Sequence, residues 1–159
     1  MNKISFWVEG LPIGQPRTKA ARIGSFVRMY TPPVANQWKT EVGRSAMASM
    51  VRDNVKSITV PVRLACIFYF PRPKKHYLKG MLRTGCPYYH PQKPDLDNLE
   101  KAVMDALTNY GIWRDDAQVV CKYGESRWSG ATVRCGASIN IDWMGDEQFF
   151  PPLDFSIPF

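Results

Sequence analysis

The run from Lys93 to Val120, KPDLDNLEKAVMDALTNYGIWRDDAQVV, constrains this chain more than any other stretch. Leu96, Leu99, Val103, Ala106, Leu107 and Tyr110 fall at i, i+3, i+7, i+10, i+11 and i+14, the spacing of one apolar stripe on a single helix. Pro94 keeps Asp95 out of the helix just before its first turn. Asp97 and Lys101, four residues apart, are neighbours on one helical face. The helix should stop near Asn109-Tyr110-Gly111 and turn through Ile112-Trp113-Arg114 to Asp115-Asp116, ahead of a strand-like run from Ala117 to Tyr123. A compact return of this kind would bring Asp116 back to Asp95 and Asp97.

Each of these residues also has an ordinary structural use. Asp97 followed by Glu100 is a capping-box pattern, Asp97 with Lys101 is a common helical ion pair, and Asp115-Asp116 is a common solvated turn. Taken together they point elsewhere. Three carboxylates and an ammonium around one helix start, on a basic chain, supply oxygen ligands for a hard divalent cation such as magnesium and a cation for phosphoryl oxygens.

The same residues carry a family resemblance. Asp95-Leu96-Asp97-Asn98-Leu99-Glu100-Lys101-Ala102, then Asp105-Ala106-Leu107, then Trp113-Arg114-Asp115-Asp116-Ala117-Gln118-Val119, closely resemble the RusA family of Holliday junction resolvases. Upstream, GLPIGQPRTKAARIGSFVRMYTPP is similar to the basic, proline-broken segment ending in Tyr-Thr-Pro of phage members. The resemblance implies a RusA-like α+β fold that cuts four-way DNA junctions by paired symmetric nicks, as a homodimer with one site per subunit. It also implies a magnesium cofactor that manganese can replace. Asp95, Asp97 and Asp116 would be the metal ligands, Lys101 would complete the catalytic set, and Asp115 and Asn98 would support them from behind. Two other readings of these residues stand. One is a non-catalytic branched-DNA-binding protein, the other a flap or fork nuclease with the same chemistry.

Composition fits a polyanionic partner. Lys and Arg number 21 against 14 Asp and Glu, a net charge of +7, although an excess of that size also serves solubility. With 159 residues, 45% of them hydrophobic, the chain needs only one core-forming domain, expected over 1–144. Cys66, Cys86, Cys121 and Cys135 show no C-x-x-C spacing, so reduced thiols are expected rather than a zinc site. The N-terminal MNKISFWVEG lacks the apolar run of a signal peptide, and no stretch approaches membrane-spanning length; a cytoplasmic protein is expected.

In chain order, Lys3 to Val8 reads as a strand. Gly14 to Pro33 reads as a loop carrying Arg17, Lys19, Arg22 and Arg28, either a phosphate-gripping arm or simply a solvated connection. Val34 to Val51 reads as a helix with Trp38, Val42, Met47 and Met50 toward the core. Ser57 to Phe70 reads as a strand, disturbed by Pro61 and central from Leu64 onward. Pro71 to Pro94 has no regular pattern and interleaves Lys74, Lys75 and Lys93 with His76, Tyr77, Tyr88, Tyr89 and His90, a composition suited to gripping phosphates and stacking on exposed bases. After the acidic helix, Ala117 to Arg127 and Thr132 to Trp143 read as a hairpin joined at 128–131. The expected order is β-α-β-α-β-β, a mixed sheet packed against two helices.

The last segment, 145–159, differs in kind. GDEQFFPPLDFSIPF is acidic and apolar on a basic chain, and Asp154, Phe155, Ile157, Pro158 and Phe159 make it similar to the C-terminal tip of the bacterial single-stranded DNA-binding protein family. That resemblance implies docking on host proteins that receive the single-strand-binding tip, by capture of a terminal carboxylate and ring. The alternative is packing on the chain's own dimer. Deleting Phe159 separates the two: docking predicts loss of partner binding with junction cleavage unchanged, whereas a fall in thermal stability or loss of the dimer would make the tail structural.

Overall fold

Val62 to Phe70, VRLACIFYF, is apolar at nearly every position, and a run with no polar face has to be covered on both sides. The computed structural model describes residues 2–15, 19–23, 26–30, 33–130 and 133–144. Its elements are β1 (Asn2–Glu9), β2 (Lys19–Ile23), β3 (Phe26–Tyr30), α1 (Pro33–Arg52), β4 (Val62–Phe70), β5 (Tyr77–Leu78), β6 (Met81–Leu82), α2 (Leu96–Asn109), β7 (Val119–Trp128) and β8 (Gly136–Trp143). The main sheet has the order β1-β8-β4-β7, with β4 inside it and parallel to β7. The other two pairings, β1 with β8 and β8 with β4, are antiparallel.

Register lines the apolar residues into rows. Ile4, Ile141 and Leu64 are partners across three strands, as are Val8, Ala137 and Phe68, and all six are buried. The helices join the same core, with Trp38, Val42, Ala46 and Met50 from α1 and Leu99, Val103, Ala106 and Leu107 from α2. The two helices touch closely at Gly43, where an added Cβ would lie 2.2 Å from the Tyr110 ring. That contact gives the last residue of the apolar stripe its place, beyond the end of α2.

This is the α+β class expected, with two small hairpins added, and three local expectations change. Gly14 to Pro33 is not merely a loop, since β2 and β3 pair within it; the two runs flank Gly24-Ser25, a dipeptide that favours hairpin turns. β7 and β8 do not form a hairpin, because β4 lies between them. Met47 is 41% exposed rather than part of the core. Among the described residues, no helix is long and apolar enough to cross a membrane. The four cysteines are unpaired.

Topology sorts the functional segments by sheet end. Glu9, Gly136, Tyr69 and Arg127 are successive partners across one end of the sheet. The chain leaving β1, the segment after β4 and the start of α2 therefore gather there. Asn2, Trp143, Val62 and Val119 mark the opposite end, where α2 returns the chain to β7.

Arg63 and Asp142 form a polar contact that is buried within the sheet. Arg63 Nε donates to Asp142 Oδ2 at 3.0 Å, and both residues are buried. Taking one partner from a buried ion pair costs more than replacing both. Asp142→Ala should lower unfolding free energy by about 3 kcal/mol in urea melts, and the Arg63→Met/Asp142→Leu pair should lose clearly less. A double-variant loss equal to the sum of the two single-variant losses would show that the pair contributes no coupling.

Candidate active site

Asp95 occupies the N-cap position of α2 in extended conformation, yet its side chain makes no capping bond. Asp97 follows in the first turn. Asp95, Asp97 and Lys101 are all exposed, and among the described residues none has a side-chain hydrogen bond or ion pair. The capping box and the Asp97–Lys101 pair that the sequence allowed are therefore not formed. Glu100 instead turns inward, buried, and accepts from Lys122 Nζ at 2.7 Å. Gly124 makes room for it, since a Cβ there would lie 2.2 Å from Glu100 Oε1. On the other side of the helix Lys39 Nζ meets Asp105 Oδ2 at 2.9 Å. These two contacts tie α2 to β7 and to α1, and so fix which side chains its first turn presents outward. Sequence reasoning missed Glu100 because a capping box and an inward ion pair share one spacing.

Beside Asp95 lies an open cleft lined by Ile13, Gly14, Gln15, Lys93, Pro94 and Asn98. Gln15 N donates to the Asn98 carbonyl at 2.9 Å, and Gly14 approaches Asn98 and Pro94 so closely that a Cβ would touch both at 3.2 Å. The segment leaving β1 thus forms one wall of the cleft, with the exposed Lys93 at its rim. Asn98 contributes through its backbone.

Asp116 is elsewhere. Its Oδ1 accepts from Thr108 Oγ1, and the Trp113 indole N–H is shared between that hydroxyl at 2.7 Å and Oδ1 at 3.2 Å; Trp113 is only 1% exposed. Oδ2 has no partner among the described residues, so the carboxylate is held by one oxygen and presents the other. Thr108 lies in the last turn of α2, and 11 residues of helix rise separate it from Asp97, roughly 16 Å. The return expected from the sequence is thus not made within one chain. Among the described residues no group of three His, Cys, Asp or Glu is placed to hold a metal ion. Asp115 serves the local backbone, where its side chain accepts from Ala117 N at 2.7 Å in a capping box with Gln118.

The other basic residues lie on several segments. Lys19, Arg22 and Arg28 lie on β2 and β3, while Arg17 and the tail residues Asp154, Phe155, Ile157, Pro158 and Phe159 lie outside the described residues. Lys74 and Lys75 are exposed in a 3-10 turn that opens the 71–94 segment. This segment returns along the edge of the sheet, with Trp128 N donating to the Tyr88 carbonyl at 3.0 Å and His90 N to the Ser126 carbonyl at 2.9 Å. Tyr88 and Tyr89 stay exposed, with the Arg127 guanidinium 4.9 Å from the centre of the Tyr88 ring. The two histidines, grouped by sequence with the base-contacting aromatics, are buried instead. His90 stacks on Phe70 at 4.0 Å and meets Trp128 edge-on at 4.4 Å, and His76 meets Trp128 at 5.4 Å.

Comparisons with known proteins agree with the motif. A family model described as endodeoxyribonuclease RusA matches residues 9–140. The chain is 35% identical over 129 residues to the uncharacterized protein YqaN of Bacillus subtilis, covering 76% of this chain and 84% of that protein. It is 39% identical over 85 residues to crossover junction endodeoxyribonuclease RusA of Escherichia coli K12, and 54% identical over 85 residues to the protein of that name in Enterobacteria phage 82. In both of these the match covers 54% of this chain and 62% of the relative.

Burial holds the proton affinity of His90 below the ordinary value of 6.5; burial does the same for His76, helped by the charges of Arg72 and Lys75. Both rings are thus harder to protonate in the folded chain than in the unfolded one, which binds more protons in acid. Their contribution is complete above about pH 6.5 and is lost as pH falls below it. Amide exchange in 76–90 should accelerate between pH 6.5 and 5 more than in α2, after correction for intrinsic rates. His90→Phe should remove part of that dependence, and an unchanged profile would mean that the rings do not anchor the segment.

Proposed function

The chain belongs to the RusA endodeoxyribonuclease family, and from that premise we propose that it hydrolyses phosphodiester bonds in branched DNA, resolving four-way junctions by paired nicks as a two-fold homodimer in the cytoplasm. The observation that carries this reading is the state of the three carboxylates. Asp95 and Asp97 stand free at the start of α2 beside a basic rim, and Asp116 is braced by Trp113 and Thr108 with one oxygen to spare. Hard oxygen donors of this kind suit magnesium or manganese. One chain offers only two of the three at one place. We therefore assign each site to two subunits, Asp95 and Asp97 from one and Asp116 from its partner, which ties the nuclease activity to the dimer.

When bound, the ion supplies Lewis-acid polarisation of the scissile phosphate and lowers the pKa of a water. The chain's own residues do the rest. Lys101, one turn beyond Asp97, offsets charge growing on the phosphoryl oxygens. Lys93, Lys74, Lys75 and the cations of β2 and β3 hold the arms through their phosphates. The Trp113 and Thr108 donors keep the Asp116 carboxylate in one orientation, which limits the reorganisation needed on ion binding. The non-catalytic reading is disfavoured because unpaired carboxylates in a phosphate-binding surface repel the ligand unless a cation lies between them.

Mixed dimers test the arrangement. Asp97→Asn and Asp116→Asn homodimers should each bind junctions with or without magnesium and cleave neither strand. Co-expressed as a heterodimer purified on two tags, they should regain one intact site and make single nicks, since one combination of subunits carries Asp95, Asp97 and Asp116 together. A heterodimer as inactive as its parents would place each site within one chain. Junction, fork and duplex substrates run in parallel decide which branched shape is preferred.

A further inference from the structure

We propose that the β5–β6 hairpin is an apolar wedge that enters the branch point of the DNA and stacks against the end base pairs of its arms. The proposal rests on the branched-DNA reading above. Residues 71–94 contain six Lys and Arg and no Asp or Glu, so the segment carries one sign of charge only. Its tip is the exception in chemistry. Leu78 is 57% exposed, Met81 71%, Leu82 44% and Tyr77 38%. Leu78 pairs with Met81 and Tyr77 with Leu82, and adjacent pairs face opposite sides, so the hairpin is apolar on both faces. A patch meant to lie flat on a surface needs only one such face. Two faces suit insertion between two flat partners, as when Leu or Met side chains enter an opened base step.

The hairpin is held firmly at its base. His76, buried against Trp128, accepts at its carbonyl from Arg83 N at 2.9 Å and from Cys86 Sγ at 3.4 Å. The exposed apolar tip therefore projects from an anchored stem. The turn adds a second, independent sign. Lys79 and Gly80 have φ of 49° and 82°, the two positive values of a type I′ turn, where Asn, Asp or Gly is the inexpensive first residue. A lysine accepts that backbone cost and puts its charge at the tip. Nearby phosphates give the charge a partner, and the hairpin leaves the same end of the sheet as the Asp95 cleft. Continuous duplex offers no bare base-pair face, whereas a branch point does. A second copy of the hairpin would meet its own cations, which disfavours self-association.

The test uses the full-length dimer, without divalent cation, on a junction carrying 2-aminopurine beside the branch point. Wild type should raise the 2-aminopurine fluorescence. Leu78→Ser/Met81→Ser should abolish that rise and weaken junction binding about tenfold, a difference of 1.4 kcal/mol, with duplex affinity and the salt slope unchanged. Lys79→Asn, which eases the turn, should keep the rise and flatten the salt slope by about one unit; it remains informative if the double variant is poorly folded. Equal losses on junction and duplex, or no fluorescence change with wild type, overturn the wedge. So does a double variant that no longer dimerises, or one that instead loses binding to phosphatidylglycerol vesicles. Adding magnesium separates this idea from the nuclease reading: a wild type that opens the branch point but cuts nothing supports the wedge and sinks only the nuclease, whereas a double variant that binds, opens and cuts like wild type sinks only the wedge.

Discussion

The parallel pairing of β4 with β7 is the constraint on which the rest depends. Parallel neighbours cannot be joined by a tight turn, because the chain must travel back the length of the sheet before the second strand begins. Here α2 makes that journey with 14 residues, about 21 Å of helix. A motif that is nearly continuous in sequence is thereby divided in space. Its first carboxylates stay where β4 ends, and its last is delivered to the end where β7 begins. Any chemistry needing all three must overcome that separation, and the second subunit proposed above would do so without bending the helix.

The periodic elements were legible in the sequence. The stripe from Leu96 to Tyr110 matched α2 almost to its ends, and the apolar run after Pro61 matched an interior strand. Periodicity identifies an element and its faces, but not its neighbours. β7 and β8 looked like a hairpin because a short connection links them; yet β4, apolar on both faces, needs a neighbour on each edge, and it takes both. Side-chain direction in irregular segments was the other gap. His76 and His90 sit among basic and aromatic residues in the sequence, and only the folded segment reveals that their rings face Phe70 and Trp128 while Tyr88 and Tyr89 face out. Gln15 and Gly14 carried no signal, because their role comes from how the chain leaving β1 lies across the first turn of α2.

Polar contacts set the orientation of α2 where apolar packing would leave it loosely defined. A stripe of Leu, Val and Ala can be covered in slightly different rotations at little cost, whereas each residue step is about 100° of turn. Glu100 on Lys122 and Asp105 on Lys39 act on two sides of the helix and admit one rotation. Contacts of this kind contribute little net stability once desolvation is included, and their better-supported use is to select one arrangement. In this fold the selected arrangement turns Asp97 and Lys101 outward together.

The two groups of carboxylates differ in how they are prepared, and the difference follows their surroundings. Asp116 belongs to the other end of the sheet, where a hydroxyl, backed by a buried indole, fixes its direction in advance. Asp95 shares its cleft with Lys93, and the cations of the 71–94 segment precede it in the chain, so in the proposed function an incoming phosphate would meet several cations. Asp95 and Asp97 oppose that phosphate when bare and favour it when a divalent cation lies between. Under the proposed function, affinity for the backbone and tolerance of the acids are thus separable properties of one surface: the first would come from the lysines and arginines, and the second would depend on the ion. A binding module would gain by losing Asp95 and Asp97, so two exposed acids with no side-chain partner among the described residues, beside Lys93, favour the ion-dependent chemistry proposed above.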